Sequence, residues 1–261
     1  MSLLRVEGLS RSFGGIHAVR DASFAIEQGA IQSIIGPNGA GKTTLFNLIT
    51  GLLPPDAGEI WLEDQPIAGR PPFALARLGI ARTFQNLQIF LNMTVRENVM
   101  VGRHRHLDRS FWASLIGARR IRRSDAACRA RADEILSFVG LDTYRDAAAD
   151  SLPYGALKRL EIARALAAEP KLLLLDEPAA GCNARETEAI DALIQRIAES
   201  GVTVVLVEHD MRLVMSISER ILVFDQGQKL AEGTAAEIRA NPAVIAAYLG
   251  SRAAGAAPGA P

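Results

Sequence analysis

The sequence lacks the features that mark secreted and membrane-spanning proteins. Cysteine occurs twice in 261 residues, at Cys128 and Cys182, without the spacing of a metal site, which predicts a reducing compartment and no disulfide framework. The N-terminus has no basic segment followed by a long apolar run, so we expect no signal peptide. No apolar run approaches the ~20 residues of a membrane-spanning helix. These absences predict a cytoplasmic protein that needs other chains for any work at a membrane.

An excess of charge of one sign is also missing. The 29 lysines and arginines balance the 29 aspartates and glutamates, so the net charge is zero. Nucleic-acid-binding proteins usually carry a basic excess, and the balance therefore argues against nucleic acid as a partner. With 49% hydrophobic residues at this length, the chain is expected to bury a real core in one large domain, with or without a sub-lobe.

Short apolar runs alternate with segments of helical periodicity along most of the chain. The runs at 31–35, 172–175, 202–207 and 221–224 predict strands, and the segments 44–50, 155–168, 184–199 and 210–217 predict helices. This alternation indicates a parallel α/β core. Apolar residues at Leu4, Val6 and Leu9, and alternation over 22–27, predict further strands at the N-terminus.

Two other regions depart from this alternation. Between roughly 86 and 150 the strand signal disappears, which predicts a helical sub-lobe inserted into the α/β core. The Ala/Gly/Pro-rich end of the chain is expected to be a frayed tail. Three helix starts carry the pattern of a capping box, namely Thr94 with Glu97, Asn183 with Glu186, and Thr234 with Glu237.

A glycine-rich segment at 36–44 carries the strongest chemical signal. It fits G-x-x-x-x-G-K-[ST], follows a predicted strand and opens a predicted helix, which is the context of a phosphate-binding loop. Its members are Gly36, Pro37, Asn38, Gly39, Ala40, Gly41, Lys42, Thr43 and Thr44. Backbone N–H groups of such a loop bind the β- and γ-phosphates, Lys42 adds positive charge, and the Thr43 hydroxyl can ligate Mg²⁺. The alternative is a glycine-rich turn with a surface lysine.

A second signal is the apolar run 172–175, which ends in two carboxylates, Asp176 and Glu177. At the carboxyl end of a buried strand, Asp176 would reach the shell of a Mg²⁺ ion. Glu177 could polarise a water molecule for attack on the γ-phosphate. The alternative, that both acids merely solvate a strand end, is weakened by the phosphate-binding pattern upstream.

With these motifs in order, almost the whole chain resembles the ATP-binding-cassette (ABC) ATPases. Further segments at their expected places are TFQN at 83–86 for the Q-loop, LPYGA at 152–156 for the signature, AGCN at 180–183 for the D-loop, and VEHD at 207–210 for the switch histidine. The resemblance implies an α/β P-loop NTPase fold with an N-terminal antiparallel β subdomain and an inserted helical subdomain over roughly 86–160. It also implies one nucleotide-binding domain over 1–250 and a flexible tail over 251–261.

The resemblance implies a role for each matching residue. Gln85 would contact Mg²⁺ or water, His209 would bond the γ-phosphate and position the water of Glu177, and Phe13 would stack on adenine. The alternatives are a polar strand end for Gln85, a satisfied core histidine for His209 and a core aromatic for Phe13. ATP and Mg²⁺ are the cofactors that the family implies.

A narrower resemblance concerns the transported substrate. Segments such as IGPNGAGKTTLFNLITG, RTFQNLQIFLNMTVRENVMVG and NPAVIAAYLG resemble the ATP-binding subunits of branched-chain amino-acid importers, and the ATPases of urea/amide import and lipopolysaccharide export are similar. The importer interpretation implies a second ATP-binding subunit, two membrane permease subunits, a periplasmic binding protein, and a location on the inner face of the cell membrane. A soluble ABC ATPase acting on DNA or ribosomes is the alternative class. Against it, Lys42 and Asp176 are 134 positions apart, with no sustained heptads.

The signature segment departs from the family pattern. In the family, the signature of one subunit completes the ATP site on the other, and here Tyr154 and Gly155 would face that phosphate. Pro153 replaces the signature serine and Ala156 replaces the glutamine. This predicts fewer hydrogen bonds to the phosphate, and a heterodimer with a sister ATPase of fuller signature.

The basic stretch 103–123 is expected to be either a solvated linker or an edge that faces anionic lipid.

Overall fold

The computed structural model describes residues 1–104 and 118–254 of the chain. In order, its elements are β1 (Ser2–Phe13), β2 (Ile16–Glu27), β3 (Ile31–Ile35), α1 (Lys42–Ile49), β4 (Ala57–Leu62), β5 (Gln65–Pro66), α2 (Pro72–Leu78), β6 (Ile80–Arg82), α3 (Val95–Gly102), α4 (Ala118–Phe138), α5 (Tyr154–Leu166), β7 (Leu172–Asp176), α6 (Ala184–Glu199), β8 (Thr203–Val207), α7 (Met211–Ile217), β9 (Arg220–Asp225), β10 (Gln228–Gly233), α8 (Ala235–Ala240) and α9 (Pro242–Ala254). Short 3₁₀ turns occur at Asp142–Tyr144 and Ala149–Ser151. The chain forms two compact units, Met1–Leu75 with Gln195–Pro261, and Ala76–Ile194.

An antiparallel sheet opens the first unit. Strands β1 and β2 pair as a hairpin, β4 pairs with the other edge of β1, and β5 extends the order to β2-β1-β4-β5. The residues Leu4, Val6 and Leu9 that predicted the first strand are buried, and the register places Val6 opposite Phe24. The predicted antiparallel β subdomain at the N-terminus is confirmed.

Parallel strands form the other sheet of the first unit. Strand β3 lies between β8 and β9 and runs parallel to both, while β10 pairs antiparallel with β9. Every residue of β3 and β8 is buried, which explains why both read as continuous apolar runs in the sequence. The predicted parallel α/β core is therefore confirmed, with strand ends within one or two residues of the expected positions.

The helices that follow β8 close one end of the first unit. Side chains from β3, β9, α7, α8 and α9 form one buried cluster, Ile35, Val214, Ile221, Val223, Ile238 and Val244. Helix α9 runs to Ala254, so residues 251–254 of the expected tail are helical, and residues 255–261 lie outside the described part of the chain.

The second unit pairs two parallel strands and carries the long helices. Strand β6 pairs with β7 in the register Arg82 opposite Leu174. Helices α3 and α5 approach so closely that a Cβ placed on Gly102 would lie 2.2 Å from the carbonyl oxygen of Arg164. Between α3 and α4, Arg96 donates to Asp133 at 2.7 Å. Apart from an isolated bridge between Thr94 and Ala148, no strand occurs among the described residues of 86–150.

All three predicted capping boxes are present. In each, the side chain of the first residue accepts from the backbone N–H of the glutamate, whose carboxylate accepts in return. Strands β4, β5, β6 and β10 were not predicted from the sequence. Strand β10, with the sequence QKLAEG, is an edge strand with one buried residue, so it lacks the apolar run that reveals a buried strand.

Candidate nucleotide-binding site

The segment 36–44 connects β3 to α1 through a turn that requires glycine. Gly36 has φ 155°, and a Cβ there would lie 2.0 Å from the carbonyl oxygen of Phe224. Gly41, the residue before α1, has φ 100°, and a Cβ there would lie 2.2 Å from the carbonyl oxygen of Ala18. The close approach of backbone to backbone explains the glycine pattern at both positions.

Positive charge is concentrated where this loop meets α1. Lys42 is 7% exposed, and its ammonium donates to the carbonyl oxygens of Gly36 at 2.7 Å and Pro37 at 2.9 Å. The first turn of α1 holds no acidic residue, so the partial positive charge of the helix N-terminus is not offset locally. The Thr43 side chain is exposed beside it. The loop thus offers N–H donors, an ammonium and a hydroxyl to an anion.

Two further predicted site residues lie in the first unit. The Phe13 ring is 42% exposed, as stacking on a ligand requires, and the Arg11 guanidinium lies 5.0 Å from its centroid. His209 is exposed two residues after β8, and its backbone N–H donates to the carboxylate of the buried Glu208 at 3.1 Å. Asp210 then caps α7 by accepting from the N–H of Arg212 at 2.8 Å.

In the second unit, Asp176 lies at the carboxyl end of β7 and forms a buried ion pair. Arg82, at the end of the neighbouring strand β6, donates from Nη2 to Asp176 Oδ2 at 2.9 Å, and the two side chains are 6% and 7% exposed. The backbone N–H of Asp176 donates to Thr83 Oγ1 at 3.2 Å. Sequence reasoning missed Arg82, because the strand that carries it, β6, was itself not predicted.

The next residue, Glu177, is held by two neighbours. Its backbone has φ 51°, a left-handed conformation that a non-glycine residue adopts at a cost of order 1–3 kcal/mol. Gln85 Nε2 donates to Glu177 Oε2 at 3.3 Å, so the predicted Q-loop glutamine and the second carboxylate do come together. The ammonium of Lys158, from α5, donates to the Glu177 carbonyl oxygen at 3.2 Å. Lys158 is a second residue that the sequence did not reveal.

A buried carboxylate from α5 binds the backbone around Gln85. Glu161 Oε1 accepts from the N–H of Phe84 at 3.5 Å and of Gln88 at 3.4 Å. Burial raises the pKa of Glu161 above its ordinary value, and these two hydrogen bonds oppose that effect. Helix α5 thereby contacts both sides of Gln85.

The segment 152–156 begins α5 without a side-chain cap. Pro153 occupies the N-cap position and makes no side-chain hydrogen bond there. The N–H of Gly155 donates to Glu186 Oε1 at 3.3 Å, and a Cβ on Gly155 would lie 2.6 Å from that oxygen. The other carboxylate oxygen of Glu186 completes the capping box with Asn183 in the D-loop. Tyr154, 44% exposed, packs beside Gly181.

The described residues offer oxygen ligands rather than a protein-built metal cage. Within 1–104 and 118–254, no group of three or more His, Cys, Asp or Glu side chains could hold a metal ion. Neither Cys128 nor Cys182 forms a disulfide within the described part of the chain. A cation held through one carboxylate and the oxygens of a bound phosphate needs no such group, and that is the usual arrangement for Mg²⁺.

The comparison with known families decides the identity of the fold. The profile of the family described as "ABC transporter" matches residues 19–180. The chain belongs to the ABC transporter family. Like its relatives, this ABC protein is an ATPase. A second profile, described as "Branched-chain amino acid ATP-binding cassette transporter", matches residues 228–254.

The relatives of this ABC ATPase match it over nearly their full length. The high-affinity branched-chain amino acid transport ATP-binding protein BraF of Pseudomonas aeruginosa is 47% identical, over 95% of this chain and 98% of the relative. The corresponding LivG protein of Escherichia coli is 45% identical with the same coverage. The lipopolysaccharide export system ATP-binding protein LptB of Escherichia coli is 36% identical, over 96% and 98%.

Solved structures confirm the ABC ATPase fold. A nucleotide-free ATP-binding cassette from an ABC transporter superposes with a TM-score of 0.83 at 33% identity, covering 95% of this chain and 99% of that one. A bacterial ABC transporter cassette solved as a dimer gives a TM-score of 0.75 at 26% identity, covering 89% and 98%.

The predicted basic stretch 103–123 falls mostly where nothing is described. Residues 105–117 lie outside the described residues, as do the side chains of 118–124. Arg103 and His104 are described, and the Arg103 guanidinium pairs with Glu169 at 2.9 Å. In the described ranges, every helix is too short or too polar to span a lipid bilayer.

Proposed function

We propose that this chain is the ATP-hydrolysing subunit of an importer for branched-chain or related amino acids. The observation that carries the proposal is the 47% identity to BraF across 95% of the chain. The lower identity to the lipopolysaccharide export protein, 36% at similar coverage, favours uptake over lipid export. The match of residues 228–254 to the branched-chain profile supports the same substrate class.

We infer that residues 36–44 bind the ATP phosphates. Lys42 can exchange its hydrogen bonds to the loop carbonyls for bonds to phosphate oxygens, because an ammonium binds an anion more strongly than a neutral acceptor. The exposed ring of Phe13 supports stacking on adenine. We infer further that residues 1–250 act as one nucleotide-binding domain, with a helical subdomain over roughly 86–160.

Three side chains have the donor chemistry that Mg²⁺ prefers. Thr43, Gln85 and Asp176 all offer oxygen atoms, and a hard divalent cation selects oxygen ligands. When bound with ATP, Mg²⁺ would neutralise charge on the phosphates. The ion pair with Arg82 fixes the Asp176 carboxylate in place without the metal.

Glu177 is proposed as the general base. It accepts a proton from the water that attacks the γ-phosphorus, while Gln85 orients its carboxylate and Lys158 holds its backbone. His209, exposed after β8, is proposed to bond the γ-phosphate and position that water. Tyr154 and Gly155 are proposed to face the phosphate bound by a sister ATP-binding subunit in a heterodimer.

The remaining partners follow from the importer proposal. This ATPase would work on the inner face of the cell membrane with two permease subunits and, through them, a periplasmic binding protein. Reconstitution of the whole importer in liposomes tests this. ATP-dependent uptake of labelled leucine or valine is expected, and Glu177→Gln should abolish it while the complex still assembles. Uptake of urea without any uptake of leucine or valine would overturn the substrate class.

A further inference from the structure

A cavity opens on the first unit where three short helices meet. Its volume is about 320 Å³, at the lower end of the range for small-molecule sites. The lining residues are Met211 and Met215 of α7, Ile238 and Arg239 of α8, and Val244, Ile245 and Tyr248 of α9. A ligand that fills this space would be small.

The lining combines an apolar wall with one cation. The aliphatic, thioether and phenol side chains surround the space, and Arg239 is the charged residue among them. Among the described residues, no carboxylate forms an ion pair with Arg239, and the nearby Glu237 is engaged with Thr234 in a capping box. The cavity therefore fits a branched hydrocarbon that ends in a carboxylate. An α-ammonium group would find no anionic partner in the lining, which disfavours an amino acid.

Two residues that line the cavity lie next to nucleotide-binding motifs of the same unit. Met211 begins α7 two residues after His209. The Tyr248 hydroxyl accepts a hydrogen bond from the backbone N–H of Gly36, the first residue of the phosphate-binding loop. Burial raises the pKa of Tyr248 to about 12. A ligand that moves or stiffens Tyr248 would act directly on Gly36.

We propose that this cavity is a regulatory site for a small branched aliphatic carboxylate without an ammonium group, such as a branched 2-oxo acid, and that the Tyr248–Gly36 contact transmits its occupancy to ATP binding. The site lies outside the proposed ATPase machinery. The proposal does not depend on which substrate the importer carries, because its ligand is identified from the lining alone.

Binding is tested by calorimetry on the full-length chain, with 4-methyl-2-oxopentanoate as the probe and leucine as its ammonium-bearing counterpart. The oxo acid should bind more tightly than leucine. Arg239→Gln should weaken that binding about ten- to a hundredfold, because a hydrogen bond to a charged group is lost. Ile245→Trp, at a half-exposed position that can take a larger side chain without disturbing the core, should block it. Arg212→Gln removes an exposed charge from α7 outside the lining and should leave it unchanged.

Coupling is tested by measuring ATP affinity with and without the oxo acid. A shift of about fivefold or more is expected in the wild type, and ATP must shift the affinity for the oxo acid by the same factor. Tyr248→Phe should still bind the oxo acid but lose that shift. No saturable binding, or binding that Arg239→Gln leaves unchanged, would overturn the site. If no carboxylate binds and Ile245→Trp instead weakens assembly with the membrane subunits, the cavity is a protein-docking surface and the proposal is wrong.

Discussion

Replacing Arg82 by methionine should destabilise the protein far more than a typical surface ion-pair substitution. Arg82 and Asp176 are 6% and 7% exposed, and their contact is 2.9 Å. Removing one partner of a buried pair leaves an uncompensated charge and costs about 3–5 kcal/mol. For a protein of this size, 1 kcal/mol corresponds to about 2–4 °C, so the melting temperature should fall by roughly 6–20 °C.

The matched control is Arg103→Met. The pair of Arg103 with Glu169 has the same 2.9 Å separation, but Glu169 is 41% exposed and water can solvate it when the arginine is removed. Glu169 also pairs with Arg131 at 3.4 Å, so it keeps a partner and its water, and this variant should lose only a few degrees. The same substitution in two environments separates the effect of burial from that of the lost arginine side chain.

Urea unfolding of the single and double variants provides the measurement. Adding Asp176→Asn to Arg82→Met removes the orphaned charge, so the double variant should be more stable than Arg82→Met alone. If Arg82→Met costs no more than Arg103→Met, or if the double variant gains nothing, then the carboxylate is not held by Arg82 as the geometry implies.

Further predictions concern the proposed catalytic groups and the Q-loop. Glu177→Gln should retain ATP binding but lower turnover by about 10²–10⁴-fold and trap closed dimers, whereas Lys42→Ala should weaken ATP binding itself; equal ATP affinity in the two variants would refute these roles. The pKa of Glu161 in the folded protein is raised above its ordinary value of 4.5, so stability is lost as the pH rises from 4.5 through the folded pKa. Glu161→Gln should therefore flatten the pH dependence of urea midpoints in that window. For Glu97 the pH dependence of stability has the opposite sign. Its capping hydrogen bonds lower its pKa, and the stability that they add is lost as pH falls. Glu97→Gln should therefore flatten the pH dependence of urea midpoints below pH 4.5. In the assembled complex, Glu177→Gln should reduce steady-state ATPase more than the same change in the sister subunit, and equal losses would show that the two sites are alike.

The features that the sequence predicted are those that depend on neighbours in the chain. The phosphate-binding loop, the buried strands and the capping boxes all follow from residues within a few positions of one another. The contacts that hold the carboxylates instead join residues that are far apart in the chain. Arg82 lies 94 positions from Asp176, Gly155 lies 31 positions from Glu186, and Lys158 lies 19 positions from Glu177. Such contacts depend on strand register and helix packing, which a single sequence does not encode in any local pattern.

The start of α5 explains why Pro153 should limit turnover. The N–H of Gly155, proposed to face the phosphate on the sister subunit, is already accepted by Glu186 at 3.3 Å. If that role is right, phosphate and carboxylate compete for one donor, because two anions cannot both approach it closely. A serine at 153 would add a hydroxyl that Glu186 does not occupy.

Pro153→Ser should therefore raise steady-state ATPase of the assembled complex by up to about ten- to a hundredfold, the value of one hydrogen bond to a charged group. Pro153→Ala is the matched control, since it restores the backbone N–H without the hydroxyl and should gain less. Because φ at this position is −59°, either residue can replace proline without strain. Equal turnover in the wild type and both variants would show that the missing hydroxyl has no part in catalysis.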